Sequence, residues 1–213
     1  MTNFPRAGFF RAFLAILCLA TGALALAASP ARAQSPGPEE LIKNTFEEAK
    51  ATVRETQDPK KLRAIAEQKL LPVFDFERMT RLAVGPGWRS ATPEQRTALT
   101  NGFRQLLVNT YNSALNQASS LLDKTLEIKQ TQKTDARDVT VRSVVRSGSR
   151  PPVALDYRLS NEGSGWKVYD VVVEGVSLVT TYRTEFSEQV RSSGVAGLIK
   201  SLEDKNRSLA GST

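Results

Sequence analysis

Acid–base chemistry in this 213-residue chain would have to rest on carboxylates and phenols, because the sequence contains no histidine and a single cysteine. Asp156 adjoins Tyr157, and Tyr169 adjoins Asp170. A carboxylate base with a tyrosine donor in an apolar pocket is the arrangement of some isomerases. Neighbouring residues of a strand point to opposite faces, so neither pair shares a pocket; a cross-strand pair, Tyr157 with Asp170, is the remaining arrangement. Ser-His-Asp and Cys-His catalysis are excluded, as is a zinc site built on histidine or cysteine. No stretch has the dense acidic spacing of a calcium loop. Glu127 and Asp138 read as surface carboxylates. The sequence thus assigns no catalytic residue, no metal ligand and no cofactor.

The one cysteine, Cys18, lies in an N-terminal apolar run from Phe13 to Ala28. Arg6 and Arg11 precede that run, and Ala31-Arg32-Ala33 follows it. A basic start, an apolar middle and an A-x-A end form a secretory signal peptide, so residues 1–33 are expected to be removed by cleavage after Ala33. The 213 residues less 33 leave 180, enough for one domain with an ordinary core. The 29 Lys+Arg less Arg6, Arg11 and Arg32 leave 26 against 22 Asp+Glu, a net charge of +4. That mild excess, in an exported chain, suits an anionic membrane surface and argues against nucleic acid as a partner.

Residues 34–38 read as a flexible leader, and helical spacing begins at Leu41, Ile42, Phe46, Ala49 and Val53. Asp58-Pro59 starts a second helix that Pro72 ends. Asp75 caps a short helix carrying Phe76, Met79 and Leu82, which Gly85-Pro86-Gly87 stops. Thr92 and Gln95 stand at capping-box spacing before a long apolar stripe, so one helix is expected from Pro93 to Leu122. After Asp123 the period changes to two. Four strands follow, joined by short connectors rich in turn residues, and read as an antiparallel meander. Two helical segments close the chain, Leu178 to Ser192 and Val195 to Asn206, leaving residues 207–213 as a tail. Helices, then strands, then helices give an α+β layer fold.

The stretch Asp170 to Phe186, DVVVEGVSLVTTYRTEF, is apolar on both sides of Glu174-Gly175. Strict alternation puts Trp166, Val168 and Val172 on one face of the fourth strand and Val171 and Val173 on the other. Both faces then need cover, and the segment after Gly175 can supply it for one. On spacing alone, such valines belong to a filled core.

Several stretches resemble the MlaC, or toluene-tolerance, family of periplasmic lipid carriers. They are Leu71-Pro72, Gly87-Trp88-Arg89 with Ala91-Thr92-Pro93-Glu94-Gln95-Arg96, Arg150-Pro151-Pro152, Trp166-Lys167-Val168-Tyr169-Asp170 and Glu174-Gly175-Val176-Ser177. The resemblance spans Glu39 to Asn206. It implies an NTF2-like cone, a curved four-stranded antiparallel sheet wrapped by about six helices, with a deep apolar cavity for acyl chains. It also implies shuttling of phospholipid between an outer-membrane lipoprotein complex and an inner-membrane ABC transporter complex. A hopanoid-associated branch shares the motifs, which leaves a hopanoid-type lipid as an alternative cargo. The family has no known catalytic residues to carry over.

With that resemblance, the apolar faces become a cavity wall. The expected lining is Phe76, Trp88, Leu106, Tyr111, Val141, Leu155, Tyr157, Val171, Val173, Val176, Leu178, Val179 and Tyr182. Arg78, Arg81, Arg89, Arg96, Arg104, Arg146, Arg150 and Arg158 are candidates for lipid phosphates or an acidic partner, against the alternative of a solvated polar face. Gly175 and Gly194-Val195-Ala196-Gly197 are placed either to end helices or to let them part.

Overall fold

Side-chain caps start several of the helices where the spacing predicts them. The computed structural model describes residues 35–110 and 118–211. Helix α1 (Pro38–Glu55) opens with proline and an acidic first turn, Glu39 and Glu40, charges that suit a helix N-terminus. In α2 (Pro59–Ile65) the Asp58 carboxylate accepts the Lys60 and Lys61 amides at 2.8 and 3.2 Å. The chain does not stop cleanly after α2: a π-helical turn, Ala66–Leu70, and a 3₁₀ turn, Leu71–Val73, carry it to an extended residue, Phe74. Asp75 then accepts the Arg78 amide at 2.8 Å and starts α3 (Phe76–Val84).

A four-residue helix, α4 (Gly87–Ser90), precedes α5 (Pro93–Thr110). The capping box at its start is reciprocal: Thr92 N–H donates to Gln95 Oε1 at 3.0 Å, and Gln95 N–H to Thr92 Oγ1 at 3.3 Å. The expected helix to Leu122 is not continuous to that point, because residues 118–121 form a 3₁₀ turn and Leu122 N–H donates to the Ser119 carbonyl. Serines at 119 and 120 favour such turns over helix interiors. Tyr111 falls outside the described residues.

The strands are β1 (Lys124–Lys133), β2 (Asp138–Ser147), β3 (Val153–Asn161), β4 (Trp166–Val173) and β5 (Val176–Ser177). They form one open antiparallel meander in the order β1-β2-β3-β4-β5. The sheet therefore has five strands, not four. The extra one exists because Glu174 and Gly175 turn the chain back in two residues, both with positive φ (48° and 81°), the geometry of a tight hairpin. Phe74 forms a parallel bridge to Val168 beside the first half of β4.

The alternation expected of β4 is interrupted. Leu159 pairs with Val168 and Arg158 with Asp170, which leaves Tyr169 as an extra residue. Such a bulge inverts the inward–outward order beyond it. Trp166, Val168, Val171 and Val173 therefore share one face, with Val139, Val141, Tyr157 and Leu159 of the neighbouring strands, while Asp170 and Val172 take the other. The expected grouping of Val172 with Val168 is overturned.

Two cores follow. One lies on the sheet, where Ile42 of α1 meets Val139, Val141, Leu159 and Val168. The other joins α3, α5 and the closing helix α6 (Leu178–Ala210) along β4, through Met79, Leu99, Phe103, Leu106, Phe186, Leu198 and Leu202. Gly194 (φ 69°) kinks α6 where two helices were expected. The helix then continues past Asn206 into the stretch read as a tail, because Leu209 still packs on this core.

Candidate functional site

Helices α3, α5 and α6 stand along β4 without closing on it, and a cavity of about 510 Å³ remains between them. That volume falls in the range of small-molecule sites, about 300–1,000 Å³. Val171 and Val173 form its sheet wall and Val176 of β5 its rim. Leu71 and Phe74 come from the turn before α3, Phe76 and Met79 from α3, Leu107 and Val108 from α5, and Leu178, Thr181 and Tyr182 from α6. Apart from the Thr181 and Tyr182 hydroxyls, the side chains of this wall are hydrocarbon, aromatic or thioether. Val173 and Val176 are 44% and 63% exposed, so the apolar lining runs out to solvent at the hairpin.

The wall is held by packing behind it. Tyr182 stacks edge-on against Phe103 at 4.9 Å between centroids, and Phe103 meets Phe186 at 5.1 Å. The first turn of α6 is fixed by a buried carboxylate, Asp170. It accepts the Val179 amide at 3.1 Å, the Ser177 hydroxyl at 2.7 Å and Arg158 Nη1 at 3.1 Å. Ser177 Oγ in turn accepts the Thr180 amide and caps the helix. Three donors on one buried acid leave it occupied with structure, and its place beside a helix N-terminus is favourable for a negative charge.

Of the residues expected to line a cavity, the structure brings Phe76, Val171, Val173, Val176, Leu178 and Tyr182 together at this one. Leu155 and Tyr157 are the register partners of Val173 and Val171, half-buried on the same face. Leu106, Val141 and Val179 lie instead in filled core, and Trp88, though part of the helical core, lines a separate recess of about 330 Å³ with Leu82 and Arg183. Trp88 packs with α3 and α6 beneath the Arg96 guanidinium, 5.6 Å from its ring. Leu106 has 0% exposure. The next two residues of its helix, Leu107 and Val108, reach the cavity because each step rotates the side chain by about 100°. Val141 is sealed under α1, and Val179 sits in the helical core while its amide serves Asp170. Leu71, Phe74, Met79, Leu107, Val108 and Thr181 are lining residues that the sequence did not single out.

The cross-strand acid–base pair does not form. Tyr157 pairs with Val171 and Asp170 with Arg158, so the phenol and the carboxylate point to opposite faces. Burial alone pushes the Tyr157 phenol up to about 12. Asp138 is no free surface acid either: it binds Arg78 through both oxygens at 2.9 and 2.6 Å, and that guanidinium lies 3.9 Å from the Tyr169 ring. Burial opposes the charge on Arg78 and Asp138 outweighs it, leaving the guanidinium's pKa raised. Glu127 does lie at the surface, paired with Lys129 and Arg146. Among the described residues no group of three acidic, histidine or cysteine side chains could hold a metal ion, and no helix is long and apolar enough to cross a membrane.

An open antiparallel sheet with a helical bundle along one of its last strands, and an apolar cavity where they meet, defines an α+β protein built around internal hydrocarbon-lined space. The chain belongs to the MlaC family, whose profile, described as MlaC protein, matches residues 39–204. It is similar to the intermembrane phospholipid transport system binding protein MlaC of Haemophilus influenzae, with 26% identity over 151 residues, 69% of each chain. It is also similar to the toluene tolerance protein ttg2D of Pseudomonas putida, with 24% identity over 124 residues, 58% of this chain and 56% of that one. Among solved structures, a phospholipid-binding protein from Ralstonia solanacearum, crystallised in complex with a phospholipid, superposes with a TM-score of 0.71 at 35% identity. The match covers 80% of this chain and 97% of that one.

Proposed function

We propose that this chain is a periplasmic phospholipid carrier that holds acyl chains in the cavity between β4 and helices α3, α5 and α6. The observation that carries the reading is the apolar character of that 510 Å³ cavity in a chain 35% identical to a protein bound to phospholipid. The energetics favour such a design. Two acyl chains contain roughly 30 methylenes at about 0.8 kcal/mol each, so carrying them bare through water costs on the order of 25 kcal/mol. A carrier need only replace the membrane interior, and very tight binding would prevent release. Hydrocarbon walls without strong polar anchors meet both demands.

In this reading the signal peptide is cleaved after Ala33, and the domain shuttles lipid between an outer-membrane lipoprotein complex and an inner-membrane ABC transporter complex. Transport direction follows from the affinities and energy input at the two membranes. The test is mass spectrometry of lipid extracted from natively purified protein. Phospholipid at near-stoichiometric amounts is expected. Protein that emerges lipid-free, and takes up none from vesicles, overturns the reading.

A further inference from the structure

The turn into α3 puts two phenyl rings, Phe74 and Phe76, between two cavities of opposite character. Their centroids are 5.8 Å apart, and both residues line not only the apolar cavity but also a second one of about 370 Å³. The second cavity is polar. Adjacent strands contribute Ser160 and Lys167, which are register partners, and α5 contributes Arg104, whose guanidinium lies 5.7 Å from the Phe76 ring. Two acids also line it, and both are engaged elsewhere. Asp75 caps α3, and Glu162 lies 3.6 Å from Arg78 and 3.9 Å from Arg137. Among the described residues neither Arg104 nor Lys167 stands in an ion pair.

Ser160 adds an independent sign. It is 1% exposed, and its hydroxyl is without a hydrogen-bond partner among the described residues. Buried hydroxyls are nearly always bonded, and an exception calls for a missing partner. Two uncommitted cations and one unsatisfied donor suit an acceptor-only group with several oxygens and a negative charge.

We propose that this polar cavity binds a phosphate-type oxyanion through Arg104, Lys167 and the Ser160 hydroxyl. The anion is either the phosphate of a lipid whose tails lie beyond the Phe74–Phe76 pair, or a free phosphate. The first source rests on the lipid-carrier reading; the second does not.

The experiment has two arms, run on wild type, Ser160→Ala and the double variant Arg104→Gln/Lys167→Gln, with thermal melts to check that each is folded. In the first arm, lipid-free protein is titrated calorimetrically with inorganic phosphate at fixed ionic strength. Wild type should bind at one site, Ser160→Ala severalfold more weakly, and the double variant at least tenfold more weakly. In the second arm, uptake is measured from vesicles containing phosphatidylglycerol and diacylglycerol in equal amounts. A preference for the phospholipid that the double variant loses, and that added phosphate suppresses, assigns the head group as the source. Weakened phosphate binding with an unaltered lipid preference assigns free phosphate. Absent phosphate binding, or equal binding by wild type and the double variant, together with a lipid preference the substitutions leave unaltered, overturns the proposal. Failure to take up either lipid overturns the carrier reading instead and leaves the phosphate arm to decide this one.

Discussion

Along one face of the sheet, Val139, Val141, Leu159 and Val168 are sealed beneath Ile42 of α1, with no more than 4% exposure, while Val171 and Val173 of the same face front open space. The residue types are alike, and Val168 shares β4 with Val171 and Val173. What differs is the cover. Helix α1 packs on β1 and β2, whereas α3 and α6 stand along β4 and leave a gap. A row of valines reports that a face is covered, and says nothing of how closely.

The largest contrast should come from a charge placed in each region. Val141→Asp buries an unpaired carboxylate in filled core, a cost of several kcal/mol, and circular dichroism should find no cooperative melt. Val171→Asp can draw water into the cavity, so the melt should survive while co-purifying lipid disappears. Equal loss of fold in both would erase the distinction. Truncation should separate the regions next. Leu159→Ala is expected to cost about 2–5 kcal/mol in urea unfolding, and Val173→Ala only about 0.5 kcal/mol.

The junction between the regions depends on Asp170. Asp170→Ala strands the Ser177 hydroxyl and the Val179 amide and should cost about 2–3 kcal/mol. It should also loosen the start of α6, seen as faster amide hydrogen exchange at Val179 and Thr180. The last contrast concerns pH. Tyr157 has a folded pKa raised to about 12 by burial, against about 10 in an unfolded chain. Its contribution is fully present below pH 10 and is lost as the pH rises towards 12, on the order of 3 kcal/mol in all. If the ultraviolet absorbance step lost in Tyr157→Phe, by difference from wild type, titrates near 10, water reaches the face beside Val171.

Much of the helical framework was legible because its signals are local. Asp58, Asp75 and the Thr92–Gln95 pair cap their helices through contacts within three residues. The four longer strands and their meander order follow from alternation and short connectors. Family membership was legible too, from the order of several motifs. The bulge at Tyr169 was not, because Val171, Val172 and Val173 are apolar under either alternation and only pairing with Arg158 and Leu159 distinguishes the two. Phe74 escaped notice, and Leu71 was noticed only as part of a motif and not as cavity wall, since both lie in a turn, where no periodicity points inward. Leu106 and Val141 were misplaced for the complementary reason. Their hydrophobicity is plain, but whether a neighbour fills the adjoining volume depends on how distant helices are spaced.

Tyr169 carries a last consequence. The phase of everything downstream in β4 depends on that one supernumerary residue. Were Tyr169 drawn into the ladder, strict alternation would swing Asp170 and Val172 onto the face that Val171 and Val173 now hold and set a carboxylate among the oily surfaces of the pouch; deleting it would keep Asp170 opposite Arg158 and preserve the phase. Within this strand, which residues pair across to Arg158 and Leu159 is a stricter constraint on evolution than the choice among aliphatic side chains.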